Sequence, residues 1–304
     1  MSSFNPDKDI PDLSGKVAFI TGGTSGIGRE IVLFLASHNP AHIYFTGRNE
    51  EAGAAVVAAA KARGSNSEVE VSFVKCDLCS PRAKIRQAIA ESFKSDRLDI
   101  FIANAGTMAA PPGLTEEGFE LQWGSNYLGH AVILQLLRPV LLRTAESGAD
   151  VRHVQVSSNG HNYTPSGGIQ FENLRKPDAA GGFARYGQSK LAQILYCKAM
   201  AKKYPQIISV AVHPGVGNTD LLRNTNQSWL KSILSAVSFL LKDAAQLAYS
   251  PLWAATAPLE KLENGQYYEP VGKKTTASKL AGDEALAEKL WEWTTNELKD
   301  VEAL

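Results

Sequence analysis

The sequence predicts an α/β fold: a doubly wound parallel sheet of about seven strands with helices on both faces. Three observations predict it. Short apolar runs alternate with longer segments of helical periodicity; the first run ends in glycines that open a helix; and the later runs end in polar or glycine-containing turns. Strand–helix alternation of this kind implies right-handed crossovers and a sheet covered on both sides. Ligands in such sheets bind beyond the carboxyl ends of the strands, where strand order reverses.

Taken in order, Lys16-Val-Ala-Phe-Ile-Thr21 reads as the first strand, and Ile27 to Ser37 as a helix stopped by Asn39-Pro40. His42 to Thr46 is the second strand. Glu50 to Arg63 is an alanine-rich helix ended by Gly64, and Val69 to Lys75 is the third strand. Pro81 marks the first turn of another helix, where a missing N–H is harmless. Leu98 to Ala103 is the fourth strand, Thr115 to Arg143 a mostly helical segment, Val151 to Ser157 the fifth strand, Arg185 to Tyr204 a helix and Ile207 to Val212 the sixth strand. Asn264 to Pro270 reads as a turn and a last short strand. A helix over about 283–299 follows, and its Leu286, Leu290, Trp291 and Trp293 are expected on the sheet or in a subunit contact. His161 to Phe183, with Pro165, Gly167-Gly168 and Gly181-Gly182, reads as a surface loop.

At 304 residues with no evident break, one domain over 1–304 is expected. Lys plus Arg and Asp plus Glu number 31 each, and no basic run stands out, so a nucleic-acid partner is not expected and a small molecule is. The first ten residues have neither a basic leader nor an apolar stretch, which points to the cytoplasm. Ile233 to Leu241 is too short to cross a bilayer and reads as a buried or substrate-covering helix within a lid over about 217–242; an amphipathic core helix would explain the same residues. Cys76-Asp-Leu-Cys79 has the spacing of half a zinc site, but no second cluster completes four ligands, so no metal is expected.

Gly22-Gly-Thr24-Ser25-Gly26-Ile27-Gly28 lies between strand and helix, the context in which glycines let backbone N–H groups approach a pyrophosphate at a helix N-terminus, in the Rossmann manner. The second strand ends Phe45-Thr46-Gly47-Arg48-Asn49, without the acid that would bind a ribose 2′-hydroxyl. Arg48, with Asn49 beside it, is suited to a 2′-phosphate, which favours NADP(H) over NAD; a solvated surface arginine is the plainer reading. Of the nine tyrosines, Tyr186 alone has a lysine four residues on, Lys190. On a helix the two share a face, and a phenol beside a fixed positive charge ionises more easily, which makes Tyr186 a candidate proton donor and acceptor near neutral pH.

The glycine pattern, Asp77-Leu78, Asn104-Ala105-Gly106, Ser157-Ser158 and Tyr186-x-x-x-Lys190 occur in order at successive strand ends. Together they resemble the short-chain dehydrogenase/reductase family from about Lys16 to Asp220. The Ile169-Gln-Phe-Glu-Asn-Leu174 and Asn126-Tyr-Leu-Gly-His130 segments are similar to its retinol dehydrogenase and protochlorophyllide reductase branch. The resemblance implies that Asp77 and Leu78 flank the adenine, that Asn104, Ala105 and Gly106 line the cofactor, and that Pro214, Gly215 and Thr219 hold the carboxamide. It implies a tetrad of Asn126, Ser158, Tyr186 and Lys190, with Asn126 keeping a helix bend open for a proton-relay water and Lys190 also binding the nicotinamide ribose. It further implies a dimer or tetramer and a bulky apolar substrate. His130, His161 and His213 are then structural. The separation of Ser158 from Tyr186 exceeds that of compact family members, and Gly217 stands where a β-branched residue is commoner.

The expected activity is reversible hydride transfer between NADP(H) and a carbonyl or alcohol, with ketone reduction favoured. Two alternatives stand beside it: a redox-neutral isomerase, dehydratase or cyclase on the same scaffold, and a non-catalytic NADP(H)-sensing protein.

Overall fold

The computed structural model describes residues 4–64, 69–217, 243–275 and 277–304. Thr219 and all of the expected lid except Gly217 lie outside the described residues. Sheet order is β3-β2-β1-β4-β5-β6-β7-β8, with β1 Val17–Ile20, β2 His42–Gly47, β3 Glu70–Lys75, β4 Ile100–Ala103, β5 Arg152–Val156, β6 Ile208–Val212, β7 Tyr267–Glu269 and β8 Lys273–Lys274. Every pairing is parallel except β7 with β8. The chain runs outward from β1 to β3, returns, and continues from β4 on the other side of β1, so strand order reverses between β1 and β4.

The side-chain period of two divides the core between the two faces. Val17 and Phe19 of β1 join one apolar cluster, Ala18 and Ile20 the other. Helices α2 (Gly26–Ala36), α3 (Glu50–Arg63) and α8 (Ala244–Thr256) cover the second face; α4 (Arg82–Ser92), α6 (Gly129–Glu146), α7 (Gly182–Lys203) and α9 (Glu284–Glu297) cover the first. A short helix α1 (Pro6–Asp9) precedes β1.

Local chemistry sets most boundaries. Asn49 accepts from Ala52 N–H at the start of α3, Pro81 caps α4, and Asp283 accepts from Leu286 N–H at the start of α9. The segment expected to be helical from Thr115 begins its helix only at α5 (Leu121–Trp123). Before it, Thr115 N–H bonds to Phe119 C=O, Leu114 pairs with Glu120 as an isolated bridge, and Gly118 turns the chain at φ 80°, a conformation suited to glycine. Between α5 and α6 the chain makes a π-helical turn over Gly124–Leu128.

The loop expected at the surface is partly anchored: Ile169 and Leu174 are buried against the α6–α7 face. The apolar residues of α9 pack within the same chain. Trp291 stacks on Tyr196 at 5.4 Å, and Trp293 meets Trp123 edge-on at 5.5 Å. Helix α8 and strand β8 are additional to the elements the sequence predicts.

Candidate active site

A cavity of about 820 Å³ opens beyond the carboxyl ends of β1 to β6. Its β1–β3 side carries Gly22, Thr24, Ser25, Gly26 and Ile27, then Arg48, then Asp77 and Leu78. The glycine turn is as tight as its sequence suggests: Gly22 and Gly26 have φ 68° and 54°, and a Cβ on Gly28 would lie 2.1 Å from the Gly22 carbonyl oxygen. Ser25 at the start of α2 makes no side-chain cap bond, so the first-turn N–H groups of that helix remain available to an anion. Thr21 ties the two halves of the sheet together, its N–H bonding to Ile102 C=O and its hydroxyl accepting from the N–H groups of Asn104 and Ala105. Arg48 is exposed at the rim. Asn49 and Gly28 are not in the wall: the Asn49 side chain caps α3, and Gly28 backs the Gly22 turn.

On the β4–β6 side, Asn104, Ala105, Gly106, Ser158, Tyr186, Lys190, Pro214 and Gly215 line the same cavity. Tyr186 and Lys190 lie one turn apart on α7, with the ammonium 5.5 Å from the phenol ring centroid. Two glycines seat this helix against the turn after β5. A Cβ on Gly187 would meet Tyr163 C=O at 2.6 Å, and one on Gly160 would meet Tyr186 Cε1 at 2.5 Å. The two serines divide their roles. Ser157 donates to Lys190 C=O at 2.9 Å, whereas Ser158 accepts from Gly160 N–H at 3.0 Å and hydrogen-bonds the Tyr186 phenol. His161 donates from Nδ1 to Ser158 C=O at 2.7 Å and accepts at Nε2 from Ser278 N–H at 3.2 Å, which fixes its neutral tautomer.

Charge states depart from the expectation. Burial, only partly opposed by Ser158, pushes the Tyr186 phenol up to about 12. Burial likewise pushes Lys190 down to about 7, although its ammonium donates to Val156 C=O at 2.8 Å. Desolvation is the leading cause for both groups, and at neutral pH Tyr186 carries its proton, ready to donate it.

Asn126 sits in the π-helical turn behind the wall, wholly buried. Its side chain brackets Thr107, accepting from its N–H at 2.8 Å and donating to its C=O at 2.9 Å, and also donates to Ser189 Oγ at 2.9 Å. Its backbone carbonyl accepts from Gln193 and His130. Two side-chain donors thus meet this carbonyl within the π-helical turn.

Sequence reasoning missed the mouth of the cavity, formed by Met108, Ala110, Leu121, Phe183 and Val216. Met108, Ala110 and Val216 follow strand ends and were open to the strand-end rule. Leu121 and Phe183 come from helix starts brought there by tertiary contacts, without a local signal. Arg185 organises this mouth: it donates to Pro177 and Ala180 C=O on one loop and to Ala110 C=O on another. Its Nε lies 3.0 Å from Glu120 Oε1, and both side chains are buried. Burial raises the Glu120 pKa even against Arg185.

Residues 16–169 match the family profile described as short chain dehydrogenase. The chain is 37% identical to a short-chain dehydrogenase/reductase, drtF, of Aspergillus calidoustus, over 97% of each chain. It belongs to the short-chain dehydrogenase/reductase family. It is also 34% identical to a polyprenol dehydrogenase of Danio rerio, over 93% of this chain and 86% of that one, a likeness that fits the retinol dehydrogenase and protochlorophyllide reductase-like branch. A crystal structure of a protein from Mycobacterium paratuberculosis superposes with a TM-score of 0.72 at 25% identity, covering 96% of this chain and 97% of that one. Short-chain dehydrogenases use nicotinamide dinucleotides, and the β1–β3 side of the cavity fits one. The Gly22 and Gly28 cradle would be filled by any Cβ, and the start of α2 leaves its N–H groups for a pyrophosphate. Among the described residues, no helix is long and apolar enough to cross a membrane.

Proposed function

We propose that this short-chain dehydrogenase/reductase reduces the carbonyl of a bulky, weakly polar ketone, reversibly, with NADP(H). The observation that carries the reading is the meeting of Ser158, Tyr186 and Lys190 in one wall of a cavity whose mouth is apolar. NADP(H) is favoured because Arg48 stands at the end of β2, where an acid would favour the unphosphorylated ribose. The residues that would hold the dinucleotide are the Gly22–Gly28 turn, Arg48, Asp77, Leu78, Asn104 to Gly106, Lys190, Pro214 and Gly215. When bound, it supplies the hydride.

The chain's own residues supply the rest. Ser158, held by Gly160 N–H and by its bond to the phenol, presents its hydroxyl to the substrate oxygen. Tyr186, protonated at neutral pH, gives its proton to that oxygen as negative charge develops there. Lys190 stabilises the resulting phenolate, whose charge favours the ammonium in turn. Met108, Leu121, Phe183 and Val216 exclude water from the reacting carbon. The apolar side chains of the mouth favour a steroid, retinoid, terpenoid or polyketide over a sugar.

The test is titration with NADPH and NADH by nicotinamide fluorescence, then bulky ketones with absorbance recorded, with Tyr186→Phe as control. Preference for NADPH and stoichiometric oxidation lost in Tyr186→Phe are expected. Tight NADPH binding with no oxidation by any ketone would overturn the reading in favour of a redox-neutral or sensing role.

A further inference from the structure

Behind the cavity a file of buried polar groups crosses the α6–α7 face of the sheet, centred on the backbone carbonyl of Asn126. Gln193 Nε2 donates to that oxygen at 2.8 Å, and His130 Nδ1 lies 2.9 Å from it. The histidine tautomer follows by elimination. Thr21 Oγ1 already accepts from two N–H groups, so its proton goes to His130 Nε2 at 2.8 Å, and the imidazole proton sits on Nδ1 and is donated to Asn126. Both lone pairs of the carbonyl are therefore taken.

Gln193 gives its second amide proton to Gln155 Oε1 at 3.1 Å. Gln155 Nε2 then faces His153 Nε2 at 3.2 Å, and His153 Nδ1 donates to Ser209 Oγ at 2.9 Å. Gln193, Gln155, His153 and Ser209 are all buried. The Gln193 amide holds this orientation even though its own Oε1 has no hydrogen-bond partner among the described residues. Turning it over would set an oxygen against the two carbonyl oxygens it now serves.

We propose that Gln193 is a positioning residue of the site: its amide holds the Asn126 carbonyl in the π-helical turn, so that the Asn126 side chain keeps Thr107 and Gly106 against Lys190. The contact at the far end is close. A Cβ on Gly106 would lie 3.2 Å from Asn126 Oδ1 and 3.6 Å from Lys190 Nζ. The kinetic part of this inference rests on the reductase reading; the structural part does not.

The test uses the full chain with Gln193→Met, which keeps the shape and removes both donors, and Gln193→Glu. Without ketone or cofactor, hydrogen exchange at Thr107 and residues 126–131 should quicken about tenfold in Gln193→Met relative to the amides of β1. Wild-type protection there overturns the proposal whether or not any ketone is reduced. In Gln193→Glu a protonated carboxyl can donate as the amide does, whereas an ionised one repels the carbonyl. Its kcat should therefore fall with rising pH more steeply than that of the wild type, whose own fall comes from Lys190 alone, at unchanged NADPH affinity. The titratable groups facing this position are His130 on α6, His153 on β5 and Lys190 on α7, and the wild type shares all three. A Gln193→Glu profile parallel to wild type, or a Gln193→Met variant with wild-type kcat, overturns the proposal.

Discussion

Lowering the pH from 7 to 5 is expected to destabilise this fold by about 4 kcal/mol through two imidazoles. His130 and His153 are wholly buried, and burial, the leading cause for both, holds them down to about 4 and about 3. The Lys190 charge adds to the effect at His130, and His130 adds to it at His153. Each ring accepts a hydrogen bond at Nε2, from Thr21 and from Gln155, so a second ring proton would meet a donor head-on. An unfolded histidine titrates near ~6.5. Because the folded values lie lower, the unfolded chain binds protons first. Stability is full above the unfolded value and is lost as the pH falls from there toward the folded values. At pH 5 each site contributes about 2 kcal/mol of that loss. Urea unfolding at the two pH values, with a constant m-value, measures it. In His153→Asn, which cannot titrate, the loss between pH 7 and 5 should be smaller by about 2 kcal/mol, and carboxylates common to both proteins cancel in the difference. An equal loss in variant and wild type would refute the reasoning.

Three further outcomes are expected. Gly28→Ala should weaken NADPH binding at least about tenfold in a calorimetric titration, because its methyl would lie 2.1 Å from Gly22 C=O and 2.5 Å from Asn104 Nδ2, and the turn must open to admit it. Arg185→Lys should raise the ketone KM about tenfold at unchanged NADPH affinity, since an ammonium cannot span the carbonyls of Pro177, Ala180 and Ala110 as the guanidinium fork does. The kcat/KM for NADPH should fall as pH rises past about 7, where Lys190 loses its proton, and Lys190→Met should remove that limb along with most activity.

What could be read from the sequence was what depends on neighbours in the chain. Helix α3 has the same bounds as expected, Glu50 to Arg63, because Asn49 and Gly64 punctuate it locally. The Tyr186/Lys190 juxtaposition required only helical spacing. Helix α8 was missed, and its interior Pro251 disguises it. The turn before α5 overrode helical periodicity through Gly118 and the pairing of Leu114 with Glu120. Glu120 and Arg185 are distant in sequence, and only the packing of α5 against α7 brings them together. The ionisation of Tyr186 was misjudged for a related reason: spacing reveals its charged neighbour, but only the folded structure reveals how thoroughly both groups are desolvated.

Helix α9 gives the molecule a timetable. Tyr127, next to Asn126, is bonded to Thr294 across 167 positions, and Trp293 braces Trp123 from the same late segment. During synthesis the β1–β3 half, with its glycine turn, leaves the ribosome long before the residues that back the π-helical turn. Contacts of so long a range slow folding in general. The last helix of the chain thus completes the backing of a turn that was synthesised 167 residues earlier.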